Sequence, residues 1–264
     1  MNLTVLTDYV QPTRNFSLAY VILDSIFVIF FVAFLFLRKK YVTGIFSLIG
    51  GVLYFLVDFL IFYLATKSRS ISFYSSTIET QTADAFITAM ILLWMSLSYG
   101  IMDFAFIWLW LSNDKKALQY SFMIVIWWIC CPLIASFINN LSPNMIYIMT
   151  TRSTGKYHGV MGIIMVVGYF ILLIKDILGK EKVPIVKLFI IGFMAQFLWE
   201  LILFIFNIRS QNYDDDFVRI ISTMLQDSLV ETNLGMPYLY LINKAVLKRF
   251  SDGDNKEKLE EQVK

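Results

Sequence analysis

Seven long apolar stretches follow one another along the 264-residue chain, separated by short polar segments. Each stretch holds about 20 mostly apolar residues, which is the length that an α-helix needs to cross the hydrocarbon core of a bilayer. The sequence therefore predicts seven transmembrane helices, at residues 17–37, 45–66, 86–112, 119–139, 160–179, 185–208 and 220–243. We expect one membrane domain, residues 1–243, and a charged tail, residues 244–264, that is either a short solvated helix or without fixed structure.

The composition supports the same class of protein. Hydrophobic residues make up 58% of the chain and charged residues only 16%, a balance that a soluble domain of this length does not need. We therefore predict an all-α integral membrane protein whose main partner is the lipid bilayer. With a net charge of +2, the sequence gives no reason to expect nucleic acid as a partner.

The cations predict the orientation of the helices. The segments 38–44, 113–118, 175–187 and 244–264 hold 15 of the 22 lysine and arginine residues, whereas the alternate segments hold 7. Basic loops stay on the cytoplasmic side of a membrane. We therefore predict a multi-pass protein of the cell membrane with the N-terminus outside and the C-terminus in the cytoplasm.

Carboxylates interrupt the apolar pattern at a common depth. Asp24, Asp58, Glu200 and Asp227 each lie seven or eight residues from the predicted outer end of a helix, which places them roughly 10–12 Å below the outer boundary. Glu231 lies one turn deeper than Asp227, on the same helix face. Since a charged group at the centre of a span costs roughly 3 kcal/mol or more to insert, we expect these acids to serve a function.

Candidate site residues follow from this arrangement. Acids in an apolar chamber can hold and deliver protons, so the candidate catalytic residues are Asp58, Glu200, Asp227 and Glu231. In this hypothesis Asp58 or Glu200 is the proton donor. The predicted substrate-binding residues, which would line the same chamber, are Tyr54, Tyr99, Trp199 and Asn233. The single histidine, His158, and the absence of exposed thiols argue against a His/Cys metal site, and we predict no cofactor.

An internal similarity relates the two ends of the chain. Residues 49–62, IGGVLYFLVDFLIF, align with residues 191–204, IGFMAQFLWELILF, so that Asp58 falls on Glu200. Residues 102–111 align with residues 232–241, so that Asp103 falls on Asn233. This alignment predicts a possible parallel repeat, in which helices one to three and five to seven are copies joined by helix four. Alignment by composition alone is the alternative.

The seven-helix layout, the acid at Asp58 in helix two and Glu231 followed by Gly235, Pro237 and Tyr238 in helix seven resemble the small integral-membrane terpene cyclases of fungal meroterpenoid and bacterial drimane pathways. The resemblance implies an enzyme that protonates an alkene or epoxide of a hydrophobic substrate, with Asp58 and either Asp227 or Glu231 as the acids. The chain departs from that family at helix two, where Val57-Asp58 replaces the usual Trp-Glu pair.

Two other functions fit the same residues. The three-plus-one-plus-three layout also resembles SWEET and PQ-loop transporters, although the spans lack their Pro-Gln dipeptides, and this version predicts a proton-coupled carrier of a small solute. In the third version the acids form a purely structural polar network that fixes helix packing in a non-catalytic membrane protein.

Overall fold

A bundle of helices makes up most of the protein. The computed structural model describes residues 12–142, 144–153, 157–179, 182–211 and 217–263. The helices are α1 (Leu18–Leu37), α2 (Tyr41–Leu56) with a π-helical continuation (Val57–Ala65), α3 (Ala85–Leu111), α4 (Ala117–Leu141), α5 (His158–Ile177), α6 (Ile185–Ile205), α7 (Phe217–Val230) and α8 (Met236–Val263). In the described part of the chain, six helices, α1 to α6, are long and apolar enough to cross a bilayer, as expected of a multi-pass membrane protein.

The predicted seventh helix is not continuous. The helical conformation stops after Val230 and resumes at Met236, with turns over residues 231–235. Gly235 favours such a break, and Pro237 follows it within the first turn of α8, where a missing backbone N–H costs nothing. The prediction of one uninterrupted span at 220–243 is therefore wrong. Beyond residue 243 the predicted charged tail continues α8 to Val263.

A five-stranded antiparallel sheet covers one end of the bundle, which we call the sheet end. It contains β1 (Pro12–Ser17), β2 (Arg69–Tyr74), β3 (Gln81–Thr82), β4 (Tyr147–Arg152) and β5 (Arg209–Gln211) in the order β3-β2-β4-β1-β5. The strands come from the N-terminal segment and from the three loops that the charge pattern places on the N-terminal side. The sheet departs from the all-α prediction, which treated these segments as connectors.

Alternation along the strands gives the sheet a buried face. In β2, Arg69 and Ile71 are buried while Ser70 between them is exposed. Arg69 lies opposite Arg152 on β4, and Arg14 on β1 lies opposite both Arg209 on β5 and Thr150 on β4. Since neighbours across strands share a face, the four arginines project together from the sheet towards the helices.

The strands also fix where two helices start. The hydroxyl of Ser17, the last residue of β1, accepts a hydrogen bond of 3.2 Å from the backbone N–H of Tyr20 and caps α1. The carboxylate of Asp84, shortly after β3, caps α3 by accepting from the N–H of Ile87 at 2.8 Å. Side-chain caps of this kind satisfy donors that the first helical turn leaves free. The strands thereby hold α1 and α3 in register with the sheet.

Two glycines allow close helix packing at matching places. A Cβ atom at Gly50 of α2 would overlap the ring of Phe104 of α3. A Cβ atom at Gly192 of α6 would overlap Asn233 in the break and Met236 of α8. In each half of the chain, a glycine of the second long helix therefore allows close approach of a later segment, α3 in the first half and the break with α8 in the second.

Candidate functional site

Asp58 lies in the π-helical segment and is buried beneath β2. Its Oδ2 atom accepts from the guanidinium of Arg69 at 2.9 Å, from the Tyr99 hydroxyl at 2.8 Å and from the Ser96 hydroxyl at 3.4 Å. A π-helical turn widens the helix and is often found at functional sites. Three donors therefore converge on one oxygen of Asp58.

Glu200 in α6 is the corresponding acid of the second half. Arg14 of β1 contacts its Oε1 atom at 2.5 Å, and Arg209 of β5 contacts its Oε2 atom at 2.6 Å. The Gln196 amide also donates to Oε1 at 3.2 Å. Arg209 continues to Oδ2 of Asp227 in α7, at 2.5 Å, so Arg14, Glu200, Arg209 and Asp227 form one buried chain of alternating charge.

Glu231 lies at the start of the break between α7 and α8. Its carboxylate forms an ion pair with Arg152 of β4, whose guanidinium also lies over the ring of Phe62, 5.7 Å from its centroid. The Nε2 atom of His158 lies 3.4 Å from Oδ1 of Asp227 and 3.8 Å from Oε1 of Glu231. His158 therefore stands between the two acids of the seventh segment.

The arginine–carboxylate network, as we call this cluster, joins four cations to four anions. Its members are Arg14, Arg69, Arg152 and Arg209 from four strands, with Asp58, Glu200, Asp227 and Glu231 from the helices and the break. Burial opposes the charge of each group, but a partner of opposite sign at hydrogen-bond distance offsets that cost. Among the described residues the positive and negative members are equal in number, so the cluster as a whole is close to neutral.

The strand arginines differ in how fully their charge is compensated. Burial lowers the pKa of Arg152, but the carboxylates of Glu231, Asp227 and Asp58 outweigh burial, so its pKa lies above the usual value. Burial likewise lowers the pKa of Arg14, and Glu200 more than restores it. For Arg69 burial prevails over Asp58, and its pKa is lowered. Arginine stays protonated throughout this range, so all three remain cations.

A cavity of about 360 Å³ extends from the network into the helix bundle. The polar groups at its sheet end are Arg14, Asp58, Tyr99, Arg152, Gln196, Glu231 and Thr232. The rest of its wall is apolar or aromatic: Leu53, Tyr54, Val57, Phe62, Phe104, Ile107, Met161, Leu234, Tyr238, Leu239 and Ile242, with the backbone of Gly235. Its size falls within the roughly 300–1,000 Å³ of small-molecule sites, and its shape suits a molecule with one polar end.

Four of the eight predicted site residues line this cavity: Asp58 and Glu231 among the acids, and Tyr54 and Tyr99 among the aromatic residues. Glu200 and Asp227 belong to the network but lie behind the wall, bound to Arg14 and Arg209.

The other two predicted residues pack elsewhere. The indole ring of Trp199 packs on Trp128 with centroids 5.4 Å apart, and Asn233 accepts a hydrogen bond from Tyr169 at 3.0 Å. Neither lies on the cavity wall, so the structure gives both a packing environment.

Two further buried acids lie outside the network. Asp24 accepts a hydrogen bond from the indole N–H of Trp127 at 3.1 Å. Asp103 in α3 is fully buried, and neither of its oxygens has a hydrogen-bond partner among the described residues. A buried carboxyl group without a partner is energetically costly. Asp24 does not join the other acids that the sequence places at its depth.

In the described part of the chain, the set of side chains with metal-ligand spacing is His158, Asp227 and Glu231, which offer ligand atoms within 4.8 Å of one another. Arg209 and Arg152 already supply positive charge to these two carboxylates, which weakens their attraction for a metal ion. The sequence argument against a metal considered only histidine and cysteine ligands and did not foresee this grouping.

Sequence reasoning missed Arg14, Arg69 and Arg209 as site residues. Each lies in a short polar segment whose strand pairing is visible only in the structure, although Arg69, Ile71 and Phe73 alternate with polar residues as a strand predicts. The chain matches no family model, no curated protein and no solved structure. Its function must therefore be inferred from the geometry of the cavity and the network.

Proposed function

We propose that the chain is an integral-membrane terpenoid cyclase that binds a hydrophobic, isoprenoid-like substrate in the cavity and protonates its alkene or epoxide. The observation that carries the proposal is the placement of two carboxylates, Asp58 and Glu231, on the wall of an otherwise apolar and aromatic cavity. The acids come from the second and seventh helical segments, as the resemblance to the small membrane terpene cyclases implies.

The contacts of the two acids suggest different roles. Glu231 lies on the cavity wall and shares its surroundings with Asp227 and His158, so it is our candidate for the group that delivers a proton to the substrate. Asp58 accepts hydrogen bonds from Arg69 and Tyr99 and also lies on the cavity wall, so we assign it the removal of a proton at the end of the reaction rather than the donor role suggested by the sequence. Protonation of the substrate gives a carbocation, ring closure moves the charge, and loss of a proton to Asp58 balances the isomerisation.

The aromatic side chains of the wall support this chemistry. The rings of Tyr54 and Tyr99 lie 5.1 Å apart, and Phe104 packs edge-on to Tyr54 at 5.4 Å. Aromatic faces attract cations, and this attraction increases where water is excluded. The near-neutral network above them favours an uncharged polar end on the substrate, because an added charge would lie unpaired in a low-dielectric site.

We also infer the arrangement of the chain in the membrane. α7, the break at 231–235 and the first turns of α8 would form a seventh span, and the basic segments opposite the sheet end would face the cytoplasm. The order strand, helix, helix, strand, helix occurs from β4 to α7, and the same order occurs from β1 to α3 with the two-residue strand β3 added before the last helix; α4 lies between the two units. In both units an acid of the second helix binds an arginine of the following strand, Asp58 with Arg69 and Glu200 with Arg209, which supports a duplicated origin.

The proposal is tested with the purified chain in lipid vesicles. Vesicles are incubated with farnesyl- and geranylgeranyl-bearing alkenes and epoxides, and products are separated by chromatography and identified by mass spectrometry and NMR. We expect a cyclised isomer of unchanged mass, at least a 100-fold loss of rate in Glu231→Gln and in Asp58→Asn, and near-normal rate in Asp24→Asn. The last variant also neutralises a buried acid, but one away from the cavity. Recovery of unreacted substrates alone would count against the proposal.

A proton-coupled transporter is the second candidate, favoured by the break in the seventh segment. Discontinuous helices often form the binding sites of transporters, and here residues Glu231, Thr232, Leu234 and Gly235 of the break line the cavity. In this case vesicles would show solute-dependent proton uptake that Glu231→Gln abolishes, with no chemical change in the solute.

A further inference from the structure

We infer that the ligand of the cavity enters sideways from the lipid bilayer, through an opening between α2 and α8. Three residues of the cavity wall are at the same time exposed on the flank of the bundle: Leu53 of α2 is 49% exposed, and Tyr238 and Ile242 of α8 are 38% and 44% exposed. All three carry apolar or aromatic side chains. The inference rests on the proposed function only for the identity of the ligand.

Among the described residues, the sheet end of the cavity is more enclosed than the flank. Arg14 and Asp58 on its wall are buried, as are Arg69 and Thr150 beside them on the sheet, and the side chains of Arg152 and Glu231 are only 11% and 15% exposed. The arginine–carboxylate network thus separates the cavity from the far side of the sheet. A molecule dissolved in water would have to pass between paired charges to enter there, which requires breaking several buried ion pairs.

The flank around the opening is the surface that lipid would cover. On α2, Ile49, Val52 and Leu56 surround Leu53 and are all exposed. α2 packs chiefly on α3, whereas α8 packs on α5 and α6, so the two helices form opposite walls of the opening. Because Leu53 and Asp58 are five residues apart, the opening lies about 7.5 Å along the helix from the polar end of the cavity.

Tyr238 marks the α8 side of the opening. Its hydroxyl donates a hydrogen bond of 3.2 Å to the backbone carbonyl of Ile164 in α5, which holds the ring at the edge of the cavity. The geometry therefore selects a ligand that partitions into the hydrocarbon region, with an apolar body that passes Leu53, Tyr238 and Ile242 and a polar end that moves towards the network.

The test uses photolabelling in vesicles. The probe is a 15-carbon prenyl alcohol that carries a diazirine on its tail, and the comparison probe is the diphosphate of the same alcohol added from the water phase. We expect the alcohol to label peptides around Leu53 and Ile242, and Leu53→Trp or Ile242→Trp to slow labelling at least fivefold. Ile49→Trp is the matched control, because Ile49 is exposed on the same helix but is not on the cavity wall; it should stay within twofold of the parent chain.

Two further variants keep the test decisive if a tryptophan variant fails to fold. Leu53→Ala and Ile242→Ala widen the opening and should speed labelling by the alcohol. Equal labelling rates in all variants, or faster labelling by the diphosphate than by the alcohol, would overturn the inference. Labelling that depends on the opening without any cyclised product would overturn only the proposed function, whereas cyclisation at the same rate in all opening variants would overturn only the inferred route.

Discussion

The two halves of the molecule, β1 to α3 and β4 to α7, contain similar elements but place their buried acids in different surroundings. In the first half Asp58 is bound by the arginine of the strand that follows its helix, and it faces a cavity. In the second half Glu200 is bound in the same way by Arg209, but Arg14 crosses over from the first half and covers its other oxygen. Arg152 lies in the strand before α5, as Arg14 lies in the strand before α1, but Arg152 forms its ion pair with Glu231. Asp58 has no such contact with an arginine of the other half among the described residues, and the cavity lies beside it.

This difference separates two uses of a buried acid. Glu200 has both oxygens occupied by guanidinium groups and lies away from the cavity, which is the environment of a structural ion pair. Asp58 is bound by one arginine, the Tyr99 hydroxyl and the Ser96 hydroxyl, and the cavity lies beside it. Similar sequence positions can therefore hold a packing element in one half and a candidate reactive group in the other.

The largest expected effect comes from removing Glu200, whose two oxygens are both bound by arginines. Glu200→Gln leaves Arg14 and Arg209 buried with one less anion, and we expect a loss of about 3–5 kcal/mol in the free energy of unfolding. Asp58→Asn leaves only Arg69 without its carboxylate and should cost about 1–3 kcal/mol. Thermal and denaturant unfolding in detergent micelles would measure both.

Asp24→Asn is the control for this pair, because it neutralises a buried acid that binds Trp127 and that no arginine binds in the described part of the chain. If Asp58→Asn lowered the free energy of unfolding as much as Glu200→Gln or more, the distinction between the enclosed Glu200 and the cavity-lining Asp58 would be contradicted.

An intermediate effect is expected at the two glycines that bring the helices together. Gly50→Ala and Gly192→Ala both place a Cβ atom into a neighbouring side chain and should each cost about 1–3 kcal/mol by overpacking. Gly162→Ala in α5 is the matched control: its Cβ atom meets no described atom within 4 Å, so the better helix propensity of alanine should leave stability unchanged or raise it by up to about 1 kcal/mol. Thermal unfolding midpoints compare the three. If Gly192→Ala behaved like Gly162→Ala, the inferred equivalence of the two helix pairs would lose its packing basis.

The smallest effect is expected at the end opposite the sheet, where Lys40 and Asp114 form a partly exposed ion pair. Partial burial raises the pKa of Asp114, but hydrogen bonds from the Lys40 ammonium and the Lys116 backbone N–H outweigh it and lower the pKa below its usual value. The pair therefore stabilises the fold above the ordinary carboxyl pKa of about 4, and this contribution is lost as pH falls through the lowered value.

Asp114→Asn should consequently cost no more than about 1 kcal/mol at neutral pH and nothing at low pH. Unfolding midpoints measured at pH 7 and near pH 3 provide the comparison. A loss as large as that of Glu200→Gln would mean that burial is not what distinguishes the two ends.

The helices could be predicted from the sequence because apolar length alone determines them. The six spans found lie within four residues of the predicted bounds at each end. The break at 231–235 was not predicted, although Gly235 and Pro237 signal it, because the flanking residues are apolar enough to suggest one span. The strands escaped prediction because each is short and pairs only with segments far away in the chain.

The site was predictable in its anions and not in its cations. Buried acids are conspicuous in apolar helices, and Asp58, Glu200, Asp227 and Glu231 do meet in one network. Arg14, Arg69 and Arg209 occur in polar segments where an arginine is ordinary, so their role depends on strand pairing.

The contact between Arg14 and Glu200 joins residues that are 186 positions apart. At a synthesis rate of about 5–20 residues per second, roughly 10–40 seconds separate their emergence from the ribosome. Over that interval the Arg14 side chain lacks its Glu200 partner, so the ion pair that joins β1 to α6 cannot form. Biogenesis of this protein thus has a late closing event, at which a chaperone or a quality-control protease has time to act.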